Sequence, residues 1–445
     1  MRLLKYKVNK FRSVKGTEWI DVDQWNCLVG LNESGKTNLL LPLWKFNPAD
    51  DATQIDLLLD YPRDEYSEVE ANKGSRKTEP FIEVLFELTN QEMADFQKRY
   101  DANITPSEAE EESTSAEGMT ESAADEKALQ FTKYLLIKKD YNEKFYIYLS
   151  NEQCEELNNV IKEDIENNLF DHVCNMIPRF VYYSEYGNLD SDLFLPRVKE
   201  DLKRIASLSG KERMKARTLK ILFGHLKLDP DEILSLGQEV APPNNDSRQK
   251  EDAQIEKESR SKQERHAKVT SAASRLSTQF RGWWTQGNYI FHFNVDGDYF
   301  RILVSDTERP SQIELESRSK GLQWFFSFFL VFLAESEEYH RDCILLLDEP
   351  GLSLHPNAQT DLIRFFSKLS EKNQLIYTTH LPFLVDHNSL DRVKAVYSEN
   401  GLTKASNDIS KADKEKKAKS NPARQCCNWN HSLSKSSCWM RYSDC

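Results

Sequence analysis

No stretch of this sequence is long and apolar enough to cross a bilayer. The longest apolar run, Leu322–Ala334, contains Gln323 and Ser327 and stops at 13 residues, whereas a spanning helix needs about 20. It reads instead as a buried helix. The opening residues, MRLLKYKVNKFRSVKG, lack the continuous apolar core of a secretion signal. A generally basic surface is missing too: 59 Lys and Arg against 72 Asp and Glu leave a net charge of −13. A nucleic acid would therefore have to be held by a local basic strip. No heptad persists beyond about three turns, which argues against a long coiled-coil arm. These absences describe a cytoplasmic chain with no membrane partner, whose 445 residues suffice for roughly two to three domains.

What is present is a pattern of strands with helices between them. Residues 2–11 and 17–22 alternate apolar and polar, and Asn26–Gly30 is a short apolar run ending in glycine. Further strand-like segments lie at Phe81–Leu88, Phe131–Lys138 and Lys144–Ser150, with an acidic Ser/Ala/Glu-rich stretch, Ser107–Lys127, that reads as a solvated loop. From Asn151 to about Leu236 the apolar spacing turns helical (Leu157, Val160, Ile161, Ile165, Leu169), and the charged segment Ala241–Ala267 reads as a linker or a solvated helix. Tyr289–Val295 and Tyr299–Val304 flank Asp296-Gly297, a hairpin signal. A helix (Gly321–Ala334), a strand (Cys343–Leu347), a helix (Asn357–Ser370) and a strand (Gln374–Thr378) follow. That succession implies a parallel sheet flanked by helices.

Three motifs sit on this frame. Gly30-Leu31-Asn32-Glu33-Ser34-Gly35-Lys36-Thr37 fits G-x-x-x-x-G-K-[ST], between a strand and the apolar helix LLLPLWKF. Its glycines let successive N–H groups curl around phosphate oxygens at a helix N-terminus. Lys36 is placed at the β- and γ-phosphates and the Thr37 hydroxyl on Mg²⁺. Pro42 falls near the second turn of that helix and should kink it. Ile344–Leu347 followed by Asp348-Glu349 makes a buried strand with two carboxylates at its C-terminal end, where α/β sheets place ligands. Asp348 is assigned to Mg²⁺ through water, and Glu349 to orienting and deprotonating the attacking water. His380 ends LIYTTH; it is either a satisfied buried histidine or a contact to the γ-phosphate and attacking water.

Together GLNESGKTN, LLLDEPGLSLHP and IYTTH resemble the P-loop, Walker B with D-loop, and H-loop of ABC-type ATPases. The RecF-, SMC- and OLD-like branch fits best, and KVNKFRSVKG is similar to its opening strand. ESRSKGLQWFF resembles the OLD-family counterpart of the ABC signature, although the alternative is an ordinary capped helix. The resemblance covers about residues 1–50 and 280–400. It implies an α/β P-loop NTPase: an ABC-type head with an antiparallel β subdomain and a helical insertion. The expected division is 1–150 for the first part of the head and 151–280 for the insertion, with a dimerising role. Residues 281–405 would complete the head, and 406–445 would be an unstructured tail.

By the same resemblance Gly30, Asn32, Glu33, Ser34, Gly35, Lys36, Thr37 and Asn38 hold ATP, Thr37 and Asp348 hold Mg²⁺, and Glu349, His380 and Lys36 are catalytic. Ser319 and Gly321 would reach the partner's γ-phosphate across a homodimer of ATP-sandwiched heads. Arg12 is placed at the nucleotide phosphate; Gln91 stands where a Q-loop glutamine would be sought and receives no assignment. The implied output is DNA-directed: ATP hydrolysis as a conformational clamp in an OLD-like nuclease system, in phage defence or DNA repair. The alternative is a RecF/SMC-like repair mediator without a nuclease. A transporter subunit is disfavoured by the absence of LSGGQ and by the long insertion.

OLD-family nucleases continue into a TOPRIM domain. Here the composition turns abruptly to SNPARQCCNWNHSLSKSSCWMRYSDC, which reads as an out-of-frame tail with TOPRIM encoded nearby, and no nuclease activity is expected of this chain alone. Zinc binding by Cys426, Cys427, Cys438, Cys445 and His431 is the competing reading, weakened because Cys426 and Cys427 are adjacent rather than spaced. Cys27, Cys154, Cys174 and Cys343 are scattered as reduced thiols are.

Overall fold

The computed structural model describes residues 1–49, 54–67, 79–104, 132–161, 168–184, 189–208, 210–237, 252–334 and 343–409. The acidic stretch Ser107–Lys127 and the cysteine-rich tail lie outside these residues. Sixteen strands are described: β1 (Arg2–Val8), β2 (Ile20–Asp21), β3 (Trp25–Val29), β4 (Pro80–Glu87), β5 (Tyr134–Asp140), β6 (Phe145–Ser150), β7 (Glu156–Ile161), β8 (Phe180–Tyr183), β9 (Asp192–Phe194), β10 (Tyr289–Asp296), β11 (Tyr299–Asp306), β12 (Ile313–Glu314), β13 (Ile344–Leu347), β14 (Gln374–Thr379), β15 (Val393–Glu399) and β16 (Leu402–Ser406).

The chain divides into two compact units, the first formed by 1–182, 342–348 and 373–445, the second by 183–341 and 349–372. Unit 1 carries two six-stranded sheets. One is antiparallel, in the order β2-β1-β4-β5-β6-β7; the other runs β16-β15-β3-β14-β13-β8. In the second sheet β15, β3, β14 and β13 are mutually parallel. The sequences follow that difference: β3, β13 and β14 are buried at every position, as strands covered on both faces must be. By contrast, β1 mixes buried and half-exposed positions, as one covered face requires. Helix α1 (Thr37–Phe46) follows β3 and sinks Leu39, Leu40, Leu43 and Phe46 completely into the core that both sheets share. Burial of that order contributes about 1.5–3 kcal/mol per large side chain. Pro42 lies inside α1, where it removes one helical N–H without ending the helix.

Unit 2 holds the β10–β11 hairpin, whose register pairs Asp296 with Tyr299 across Gly297 and Asp298, with β12 and β9 on β11. The helix Asp252–Arg281 packs on β10, so the charged segment that begins near 241 is helical from Asp252. Phe280 at its end stands among Trp284, Phe291, Phe325, Phe326 and Phe329. The last three belong to the helix Lys320–Ala334, the apolar run that looked too short for a membrane. No helix among the described residues is long and apolar enough to cross one.

One expectation is corrected. The segment from Asn151 is not uniformly helical, because β7, β8 and β9 fall inside it. Leu157, Val160 and Ile161 lie on β7, which extends the antiparallel sheet beside β6. β8 is the edge strand next to β13. Backbone pairing at two sheet edges overrode the local 3.6-residue spacing, and residues 151–182 fall in unit 1.

Candidate nucleotide site

β14 lies between β3 and β13, in register Tyr377 with Cys27 and with Leu347. The C-terminal ends of these three strands therefore face one edge of the sheet, with the loop 30–36 after β3, Asp348 after β13 and His380 after β14. The amide of Gly30 donates to the Thr379 carbonyl at 3.3 Å, which fastens the start of the loop to β14.

The loop has the curl its glycines foretell. Gly35 has φ +93°, and a Cβ there would lie 1.8 Å from Thr403 Oγ1; a Cβ on Gly30 would lie 2.3 Å from the Val396 carbonyl oxygen. Neither position tolerates a side chain. Glu33 also takes a left-handed φ of 63°, an uncommon conformation for a residue with a Cβ. Asn32 and Glu33 are exposed. The Ser34 hydroxyl is buried with no hydrogen-bond partner among the described residues. Lys36 is 4% exposed, and its ammonium donates to the carbonyls of Gly30 (3.1 Å) and Leu31 (2.9 Å). Asn38 donates to the Ser13 hydroxyl at 2.7 Å, which pairs with the Thr403 hydroxyl at 2.7 Å. The backbone joins the same two residues, Thr403 N–H to the Ser13 carbonyl at 2.9 Å.

Asp348 is held by three hydroxyl donors. Thr37 Oγ1 reaches Oδ2 at 2.7 Å, Tyr182 Oη reaches the same oxygen at 2.9 Å, and Thr378 Oγ1 reaches Oδ1 at 2.6 Å. An ionised carboxylate only accepts, and every neighbour named here donates. The donor set is oxygen-only, a hydroxyl beside a carboxylate next to the curled loop 30–36. That suits a hard divalent cation such as Mg²⁺, which prefers one or two carboxylates and substrate phosphates to an all-protein cage. No group of three or more His, Cys, Asp or Glu that could hold a metal ion is present among the described residues.

The other expected residues stand as follows. Glu349, the first residue of its segment of unit 2, has φ +46°; a left-handed glutamate costs on the order of 1–2 kcal/mol. His380 is half-buried at the end of β14. Ser319 accepts from the Leu322 amide at 3.2 Å and so caps the helix Lys320–Ala334. A Cβ on Gly321 would come within 3.2 Å of the Ser353 carbonyl oxygen; Ser319, Gly321 and Ser353 all belong to unit 2. Arg12, at φ 51°, donates to the fully buried Asp60 at 3.0 Å, and Lys45 at the last turn of α1 donates to the other oxygen at 2.6 Å. Its guanidinium is thus committed to an ion pair within unit 1. Gln91 is exposed at the start of the helix Asn90–Ile104.

Four contributors were not singled out in the sequence: Ser13, Tyr182, Thr378 and Thr403. Each is a single hydroxyl in a strand or loop. The TT of LIYTTH, next to His380, was the one available hint.

A phosphate-type loop after the first parallel strand, a carboxylate on a neighbouring strand and a threonine joining the two define the P-loop nucleoside-triphosphatase class. The family described as AAA ATPase domain matches residues 1–385, and the chain belongs to that family. An uncharacterized protein of Methanocaldococcus jannaschii is 37% identical over 108 residues, 22% of this chain and 27% of the relative. The match thus spans about a quarter of that relative's length. Among solved structures, the SMC head domain from Thermotoga maritima is similar at 13% identity and TM-score 0.37, covering 91% of this chain and 98% of that one. An Smc head domain with an extended coiled coil, bound to the C-terminal domain of ScpA derived from Pyrococcus furiosus, is similar at 14% identity and TM-score 0.39, covering 93% and 98%.

Proposed function

We propose that this chain binds ATP with Mg²⁺ at the loop 30–38 and hydrolyses it as a dimerising, ABC-type ATPase of the OLD-like branch, with the bound nucleotide acting as a clamp in DNA processing. One observation carries the site: the 2.7 Å hydrogen bond from Thr37 to Asp348, across 311 residues of chain. It joins the loop motif to the carboxylate motif, as a site for a triphosphate and its cation requires. The N-terminus of α1, at the end of the loop, favours the phosphates. Lys36 is the cation at the buried end of the loop, immediately before Thr37 in the chain. Thr37 and Asp348 are the residues that would hold Mg²⁺, which when bound neutralises charge on the β- and γ-phosphates. Glu349 is assigned to orienting and deprotonating the attacking water, and His380 to a γ-phosphate contact.

The DNA-directed output, with a nuclease supplied by a TOPRIM partner, rests on the motif resemblance, as does the ATP-sandwiched homodimer with Ser319 and Gly321 reaching across it. Capping by Ser319 is compatible with that role, since a capped N-terminus still presents free amides to an anion. Nucleotide titration of Lys36→Ala tests the reading: binding should be lost, and undiminished ATP affinity would remove the loop from the site.

A further inference from the structure

Asp348 Oδ2 accepts two hydroxyl protons rather than one, and the second donor is part of a larger arrangement. Tyr182 comes from β8, the edge strand beside β13, and its ring stacks on Trp44 at 4.9 Å between centroids with 25° between planes. Trp44 stands two turns beyond Thr37 on α1. A single tyrosine thus touches the carboxylate with its hydroxyl and, with its ring, the helix that carries the threonine bonded to that same oxygen. The terminal torsion of an aspartate is broad. A hydroxyl fixed by a flat aromatic contact narrows it to the rotamer that keeps Oδ2 beside Thr37, while Thr378 holds Oδ1.

We propose that Tyr182 is a positioning residue for cation binding at the Thr37–Asp348 pair, setting the carboxylate's orientation against α1 through its stack on Trp44. This rests on the reading of that pair as the Mg²⁺ site. The plain alternative is a tyrosine that satisfies its hydroxyl on the nearest acceptor and serves only stability. The two differ in what removing one oxygen does. Outer residues that orient a metal ligand typically carry about 10–100-fold in metal affinity or activity; a purely structural hydroxyl would leave metal dependence where it was.

The test uses the full chain, a fluorescent ATP analogue and a Mg²⁺ titration. Tyr182→Phe keeps the ring and loses the oxygen. It should bind nucleotide without metal as the parent does, need about tenfold more Mg²⁺ for half-maximal effect, and lose kcat while KM for ATP at saturating Mg²⁺ holds. Trp44→Leu keeps the hydroxyl and unseats the ring, and should move the Mg²⁺ midpoint in the same direction by less. A stability loss with an unmoved Mg²⁺ midpoint in both variants overturns the proposal, and if Tyr182→Phe does not fold, Trp44→Leu alone decides. Lys36→Ala separates the two levels. Retained nucleotide binding there refutes the site itself, whereas lost binding there together with unshifted Tyr182→Phe refutes only the tyrosine's role.

Discussion

Gly35→Ala isolates how much of nucleotide binding is loop shape. An added methyl meets Thr403 Oγ1 at 1.8 Å, Cγ2 at 2.7 Å and Cβ at 2.8 Å, while the backbone stands at φ +93°. Non-bonded carbons prefer about 3.5–4.0 Å, so the side chain cannot enter unless the loop moves. Two costs combine: about 1–2 kcal/mol for a left-handed backbone on an L-residue and about 1–3 kcal/mol for forcing atoms into packed space. The loop has an easy way out, since Leu31, Asn32 and Glu33 are exposed. It should therefore relax locally and give up its phosphate-facing curl while the buried body of α1 stays folded. If the whole cost falls on binding, about 2–5 kcal/mol, affinity drops by roughly 30- to several-thousand-fold. Thr403→Gly in the same chain removes all three clashing atoms but not the backbone strain, so it should restore the clash portion, about 1–3 kcal/mol, or roughly 5- to 150-fold. The assay is fluorescent-nucleotide titration on the two single variants and the double, with thermal melts to confirm equal folding. Near-parental affinity in Gly35→Ala, or no recovery in the double variant, would refute the geometric account.

Asp60→Ala should destabilise unit 1 by about 3–5 kcal/mol in denaturant titrations, because it strands Lys45 and the Arg12 guanidinium around a fully buried gap. A change under about 1 kcal/mol would mean that the pair behaves as a surface bridge. Glu349→Gln should abolish phosphate release and accumulate ATP-bound dimer on gel filtration; undiminished release would exclude Glu349 as the base. Glu349→Gly should stop turnover yet raise stability by on the order of 1 kcal/mol, since glycine accepts φ +46° without strain. A fall in the melting temperature would show that the side chain contributes more than its backbone conformation costs.

Elements whose signal is local were readable from residue order. The buried strands after which the motifs sit, the apolar helix 320–334 and the 289–306 hairpin all follow from apolar runs, lengths and one glycine. Phe180–Tyr183 was readable as well, four apolar or aromatic residues just after Pro178, but the helical spacing upstream of it overran the short strand. β7 is harder, since its Asn158-Asn159 centre has no strand preference and is held by pairing to β6. Within the proposed site, Lys36, Thr37 and Asp348 stood out in the sequence because phosphate and cation chemistry favours those residue types at those spacings. Ser13, Tyr182, Thr378 and Thr403 were not, because an orienting hydroxyl needs only a place in space, and many backbones supply one.

That distinction explains how a site can be assembled from motifs 311 residues apart. Little in the intervening chain has to carry the information: Tyr182 on β8 supplies one hydroxyl to Asp348. β14 needs to lie between β3 and β13, because this order sets the loop, the carboxylate and His380 along one edge, and Thr378 within reach of Asp348. Chain inserted between the strands is tolerated so long as it leaves the sheet order intact, since closing a longer loop costs only about 0.6 kcal/mol per doubling of its length. The vulnerable parts are the short ones: the crowded contact of Gly35 with Thr403, and the three hydroxyls on one carboxylate, where a single misplaced atom has no slack to absorb it.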